Sequence, residues 1–188
     1  MTGNFPRLTE ILSVNFRNLT RFPSNLVVSP KSDKIVLDLS GNQINSLTYA
    51  VARYNRGDQG TRLYQNISKL WLTRNKISVF THECLPKDLE ELYLDNNHIA
   101  RFQQSDINYF DSLVNRTNLR LRLGNNPYSC SCDSTPLFHF IKSRGANLED
   151  QHTVKMKCDS QLVKSKLNQN MEILNNSEAT GVVEVKPG

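Results

Sequence analysis

Four cysteines, Cys84, Cys130, Cys132 and Cys158, carry the most distinctive chemistry in this 188-residue sequence, because a thiol can bridge, bind metal or attack. Metal binding fits poorly. A small zinc site wants C-x₂₋₄-C pairs or closely spaced histidines, whereas Cys130-Ser131-Cys132 is too tight and His139 and His152 stand at the wrong intervals. No metal and no cofactor are expected. Nucleophilic and phosphate chemistry also lack their frames: there is no G-x-S-x-G, no glycine-rich phosphate loop and no H-E-x-x-H, and the four histidines lie far apart. No catalytic residue is assigned, and the chain is not read as an enzyme. Modification is a further chemistry. N-x-S/T sequons at Asn18, Asn66, Asn115 and Asn175 are glycan acceptors if the chain is secreted. Charge is another. With net charge +5, a cluster of Arg116, Arg120, Arg122, Lys142, Arg144, Lys155 and Lys157 could hold phosphates, but acids intervene and aromatics do not interleave with it. A nucleic-acid partner is not expected, and the charge reads as a solvated rim that aids encounter with an acidic partner.

Composition and repetition show what must position such residues. Leu and Asn dominate, with 23 and 21 copies, against 5 Ala and 8 Gly. So little of the best helix former, with so much of a poor one, argues against a helical bundle. The pattern L-x-x-L-x-L-x-x-N-x-L returns at Leu37, Leu39, Asn42, Ile44, Leu47; at Ile67, Leu70, Leu72, Asn75, Ile77, Phe80; and at Leu89, Leu92, Leu94, Asn97, Ile99, Phe102. A terminal copy reads Leu121, Leu123, Asn126, and a degenerate one precedes all four at Leu12, Val14, Leu19, Phe22, with Arg17 at the Asn position. The copies are spaced unequally, about 33, 22 and 29 residues apart, which means loops of variable length on one side. Leu-x-Leu predicts a short strand with alternate side chains inward, and successive copies stack in parallel at about 4.8 Å with no crossover helix inside the stack. Asn42, Asn75, Asn97 and Asn126 then read as a structural ladder, each amide satisfying backbone groups that the turn leaves unpaired.

In that stack the residue between the two core leucines faces outward, which makes a concave row of Asp38, Trp71, Tyr93 and Arg122. Val36, Lys69, Glu91 and Arg120 flank it on one side, and Ser40, Thr73, Asp95 and Gly124 on the other. The single Trp beside a Tyr, with Lys69, Arg74 and Arg122 around them, has the composition of a protein-binding hot spot. The candidate ligand face is therefore Asp38, Lys69, Trp71, Arg74, Glu91, Tyr93, Asp95, Arg120 and Arg122. Binding through convex loops or glycans is the alternative. One such loop, between Thr48 and Asn66, holds Arg56-Gly57-Asp58, which resembles the integrin-recognition tripeptide.

These repeats resemble the leucine-rich repeat family over roughly residues 8 to 175. The run Asn126-Pro127-Tyr128-Ser129-Cys130-Ser131-Cys132, followed by Phe138, Phe140, Ile141 and Cys158, resembles the cysteine-rich C-terminal cap of its extracellular members. Such a cap covers the apolar end of a solenoid. The order of parts from Phe110 to Cys158 resembles the cap of Toll receptor ectodomains of insects and related invertebrates. Val14 to Pro23 resembles the start of an extracellular repeat block, without the cysteines usual there. The fold implied is an α/β solenoid, a short right-handed leucine-rich repeat superhelix with parallel strands on the concave face and a loop-rich convex side. Its parts are a degenerate N-terminal flanking repeat (1–33), the repeats (34–117), the last repeat with the C-terminal cysteine cap (118–175) and an exposed linker or tail (176–188).

The cap resemblance implies a Cys130–Cys158 disulfide, worth roughly 3 to 4 kcal/mol through loop entropy. A fourth cap cysteine is expected near Asn176 and is absent, so Cys132 lacks its usual partner. Cys84 lies outside the cap; Cys84–Cys132 would make the count even, but two repeats separate them and a bridge needs Cα atoms within about 7 Å. The family implies an extracellular ligand-binding module for a protein such as a dimeric, Spätzle-like cytokine, with receptor pairing, in innate immune or developmental signalling. A secreted or adhesive leucine-rich repeat protein and a nucleic-acid or microbial pattern sensor are the alternatives. The sequence starts without an apolar leader segment and has no apolar run of about 18 residues. The expectation is a partial ectodomain on the extracellular side of the plasma membrane or secreted, joined to a membrane only through segments not in this sequence.

Overall fold

The repeat leucines build the sheet. A computed structural model describes residues 8–13, 15, 17–22, 32–47, 66–130, 135–158 and 182–184. In chain order the first strands are β1 (Leu8–Ser13), β2 (Ser32–Asp38), β3 (Ser46–Leu47), β4 (Ile67–Trp71), β5 (Val79–Phe80), β6 (Glu91–Tyr93) and β7 (Arg120–Arg122). Five of them form one parallel sheet in the order β1-β2-β4-β6-β7. Leu12, Leu37, Leu70, Leu92 and Leu121 occupy one register row across it. The last four of these, with Leu39, Leu72, Leu94 and Leu123, are fully buried. Each such leucine contributes about 1.5–3 kcal/mol over leaving it exposed. The core is thus a column of leucines running along the stack, closed on the far side by β3 and β5, which pair in parallel.

The chain leaves each strand through a left-handed residue: Gly41 (φ 68°), Arg74 (φ 56°), Asn96 (φ 56°) and Asn125 (φ 54°). The residue that follows is each time a buried asparagine. Asn75 Nδ2 donates to Leu39 O (2.9 Å) in the preceding turn and to Leu72 O (3.1 Å) in its own, while Oδ1 accepts from Ile44 N (3.0 Å). Asn97 bonds Leu72 O, Leu94 O and Ile77 N in the same way, and Asn126 bonds Leu94 O, Leu123 O and Ile99 N. Asn42 accepts from Arg17 N and Leu19 N, both at 3.0 Å, which ties the degenerate first copy to the stack.

One connection departs from the expectation of a stack without crossover helices. Between β6 and β7 lies α1 (Gln104–Thr117), which buries Ile107, Phe110, Leu113 and Val114. The spacing of those four is that of one helical face. A capping box of Gln103 and Asp106 starts the helix and Asn118, in the left-handed region (φ 54°, ψ 45°), ends it. Buried Asp106 also accepts from His82 N (2.9 Å), and His82 Nδ1 lies 2.9 Å from the same carboxylate oxygen. Phe110 anchors an aromatic cluster, with Phe80, Phe102 and Phe140 at ring-centroid distances of 5.7, 5.3 and 6.2 Å.

Beyond β7 come β8 (Tyr128–Cys130), α2 (Thr135–Ser143), β9 (Lys155–Cys158) and β10 (Val182–Glu184). Leu137, Phe140 and Ile141 of α2 are buried, while Phe138 is only partly covered. The open edge of β7 meets residues 148–154. Glu149 N donates to Leu121 O (2.9 Å), and the Asp150 carboxylate accepts from Leu123 N (3.0 Å) and Gly124 N (2.7 Å). In earlier turns the equivalent amide of Leu39, Leu72 or Leu94 is satisfied by a carbonyl of the next repeat. Asp150 replaces that missing strand. The approach is close enough to need glycine at position 124, where a Cβ would stand 1.7 Å from Thr153 Oγ1.

β8 and β9 pair in parallel with Cys130 in register with Cys158. The side chains of both, and all of Cys132, lie outside the described residues, as do the Arg56-Gly57-Asp58 loop and Asn175. Cys84 is buried in the core. Within the stretch 176–188, read from sequence as an exposed linker, Val182–Glu184 forms β10, antiparallel to β9. Two adjacent valines suit a strand that covers an open sheet edge.

Candidate functional site

Period-two alternation brings two register rows to the outer face of the main sheet. One is Ser13, Asp38, Trp71, Tyr93 and Arg122; the other is Ile11, Val36, Lys69, Glu91 and Arg120. Parallel pairing in register forces like positions side by side, so the aromatic residues of β4 and β6 stack. The Trp71 and Tyr93 rings lie 5.8 Å apart at 7°, and Arg122 places its guanidinium 4.3 Å from the Tyr93 centroid. Tyr93 is therefore sandwiched between an indole and a cation.

Glu91 organises the second row. It points outward yet is only 2% exposed. Three donors cover it: Lys69 Nζ (2.7 Å), Trp71 Nε1 (3.1 Å) and the Arg120 guanidinium. A carboxylate buried this way is tolerable because both of its oxygens have donors, two of them cationic, and in return it fixes the Trp71 ring. Glu149 does the same from the closing segment, bridging Arg122 Nε (2.9 Å) and Arg120 (3.2 Å). Burial and the neighbouring Glu149 carboxylate push the Tyr93 phenol up to about 12. Asp95 accepts from Thr73 Oγ1 (2.7 Å) and Asn96 Nδ2 (2.8 Å), and Asp38 accepts from Asn15 Nδ2 (3.1 Å) and Ser40 N (2.9 Å).

Eight of the nine residues assigned to the face from sequence thus lie in or beside these rows. Arg74 does not. It is exposed in the turn past β4, where its amide donates to Asp95 O (3.1 Å). Glu149 and Asn15 join the face without having been singled out, since neither occupies a repeat position that marks it. Exposed Ile11 (69%) and buried Val36 form the apolar start of the second row, which turns charged at Lys69. Asn18, Asn66 and Asn115 are exposed and stand off the rows: in the first turn, just before β4 and on α1.

The four arginines of the basic cluster are paired. Arg116 lies 3.9 Å from Asp88, Arg120 and Arg122 share Glu149, and Arg144 holds Asp111 at 2.7 Å. Among the described residues no group of three or more His, Cys, Asp or Glu is placed to hold a metal, and no helix is long and apolar enough to cross a membrane.

In-register leucines inside, turns stitched by asparagine and a parallel outer sheet define an α/β solenoid of the leucine-rich-repeat type. The chain is similar to solved structures of the Toll–Spatzle complex, described as a molecular hub in Drosophila development and innate immunity. The glycosylated form matches over 80% of this chain at 17% identity and TM-score 0.59, and another form over 74% at 19% and 0.60. It is also similar to human 5T4, a trophoblast glycoprotein, over 69% of the chain at 16% identity and TM-score 0.51. The chain spans 17%, 16% and 43% of the lengths of these proteins. No protein-family model and no curated protein sequence matches it.

Proposed function

We propose that this chain is an extracellular protein-binding module, the ligand-binding part of a Toll-type receptor ectodomain, whose ligand is a Spätzle-like dimeric cytokine. The observation that carries it is the ordered stack of Trp71, Tyr93 and Arg122, held rigid by Glu91 and Glu149. A rigid aromatic pair with an arginine loses little side-chain entropy on binding and matches the residue types that dominate interface energetics. The three described sequons leave the rows clear. The similarity to structures of a Toll–Spatzle complex adds a precedent for a protein ligand on this fold. No bond is made or broken. Signalling follows because the ligand binds the paired receptor more tightly than the single one. The same reading includes the Cys130–Cys158 bridge, which their register favours: adjacent strands run about 4.8 Å apart, inside the Cα range of about 4.4–6.8 Å for a disulfide.

The test is binding of the chain to an immobilised dimeric cysteine-knot cytokine of the Spätzle class. Tyr93→Ala and Trp71→Ala are expected to weaken it at least about tenfold, about 1.4 kcal/mol, while Val79→Ala, exposed on the opposite strand β5, leaves it unchanged. Binding that survives both face variants, in proteins with unchanged melting temperature, would move the interface elsewhere. No binding at all would favour a secreted or adhesive leucine-rich repeat protein with another partner.

A further inference from the structure

We propose that the outer sheet face accepts a cationic side chain, an arginine or lysine of its protein partner, seated on the Trp71 ring and paired with the Asp38 carboxylate. The inference rests on the reading above that this face is the binding surface, and it specifies the chemistry of what binds.

Three observations point the same way. Tyr93 has both ring faces occupied, by Trp71 on one side and the Arg122 guanidinium on the other, whereas Trp71, among the described residues, stacks on Tyr93 alone. Its register neighbour on the other side is Asp38, on a strand about 4.8 Å away. The stack that ends in a bound guanidinium at Arg122 thus ends, at its other end, in an indole next to a carboxylate. That combination attracts a cation through both the ring quadrupole and direct charge.

The second observation is which charges are already used. Lys69 and Arg120 are bound to Glu91, and Arg120 and Arg122 to Glu149. Among the described residues, the carboxylates of the two outer rows and the adjacent turn that bond only neutral groups are Asp38, with Asn15 and Ser40, and Asp95, with Thr73 and Asn96. An anionic ligand would meet row cations already held in ion pairs, and a cationic one meets carboxylates that, among the described residues, are in none. The third is that Asp38 is half-buried, with Asn15 Nδ2 and Ser40 N fixing both its oxygens, so the acceptor is pre-aimed. The net charge of +5, which by itself suggests an acidic partner, does not describe this face.

Trp71 is the sole tryptophan, so its fluorescence reports on this site alone. The full 188-residue chain is titrated at constant ionic strength with acetyl-Gly-Arg-Gly-amide, with the same peptide carrying neutral citrulline, and with acetyl-Gly-Glu-Gly-amide. The arginine peptide is expected to give a saturable change, the citrulline and glutamate peptides none over the same range. Asp38→Asn, which keeps an acceptor for Ser40 N and turns an NH₂ toward Asn15, whose own amide can flip to accept it, should weaken the arginine peptide about two- to fivefold, the scale of an exposed ion pair. Asp88→Asn, a carboxylate outside the rows, should not. Equal binding of citrulline, tighter binding of glutamate, or no effect of Asp38→Asn overturns the inference. The peptide comparison needs no variant to fold. A glutamate peptide that quenches Trp71 sinks the cation site but leaves the face as a binding surface; cytokine binding indifferent to Tyr93→Ala and Trp71→Ala sinks that surface itself.

Discussion

The residue before each ladder asparagine carries a backbone demand that the asparagine itself does not. Gly41, Arg74, Asn96 and Asn125 all sit at φ between 54° and 68°. Glycine meets this freely and asparagine at small cost, but an arginine pays for its Cβ. Arg74→Asn is expected to raise stability by about 0.5–1 kcal/mol in urea unfolding, and an unchanged or lower midpoint would mean that its side chain contributes more than the strain. The ladder residues make the opposite prediction. Asn97→Ala orphans Ile77 N and takes one of two side-chain donors from Leu72 O and from Leu94 O, which keep Asn75 and Asn126; an orphaned buried group costs about 1–3 kcal/mol, so a loss of roughly 2 kcal/mol is expected. Asn97→Asp should fail similarly, because a carboxylate cannot donate to Leu72 O and Leu94 O. Full stability in either variant would make Asn97 something other than a structural residue. At this scale the strand rows are legible because alternation has a fixed period of two. The pairings within them are not: that Glu91 takes Lys69, Trp71 and Arg120 together depends on strands 20 or more residues apart in sequence meeting in register.

At the scale of elements the sequence speaks where the repeat is constant and goes quiet where it lapses. The leucine spacing implies the five-stranded stack. The interval after Phe102 instead carries the Ile107, Phe110, Leu113, Val114 stripe of α1, which the repeat template masks because it assigns those residues to a loop. The closing segment is harder still, since Asp150 does a strand's work with a side chain. Burial outweighs its two amide bonds and raises its pKa above the ordinary 3.8. The folded state therefore binds this proton more tightly than the unfolded one. Stability from this group is complete below 3.8 and is lost as pH rises through the folded value. Against Asp150→Asn, which does not titrate, the native chain is expected to be relatively most stable at acid pH and to lose that advantage toward neutrality. Parallel urea unfolding of both proteins from pH 3 to 7 reads the difference, and a gap that widens in favour of the native chain as pH rises would mean that the amide bonds to Leu123 and Gly124 outweigh burial.

Over the whole molecule, net charge is a sum, while a partner meets only the charges that are left over. The chain's +5 is compatible with a phosphate-binding surface, and the basic residues near its closing end look like one in sequence. Folded, that cluster is interleaved with acids: Asp88 beside Arg116, Glu91 on Arg120, Glu149 between Arg120 and Arg122, Asp111 on Arg144. Each pair competes with an incoming phosphate for its cation, and Arg122 is further occupied by the Tyr93 ring. Phosphate contacts release counterions, so affinity for duplex DNA falls with salt at a log–log slope of about 0.9 per contact. With the four arginines paired, few contacts can form together, and the slope measured by anisotropy between 50 and 300 mM salt is expected to be no steeper than about −2. A slope of about −5 or beyond would require five or more free cations acting at once, and would return a nucleic-acid sensor to the front. A shallow slope beside tight, Trp71-dependent binding of a protein ligand leaves the sheet face as the organ of recognition, because the two surfaces share Arg120 and Arg122 and these cannot be committed to both.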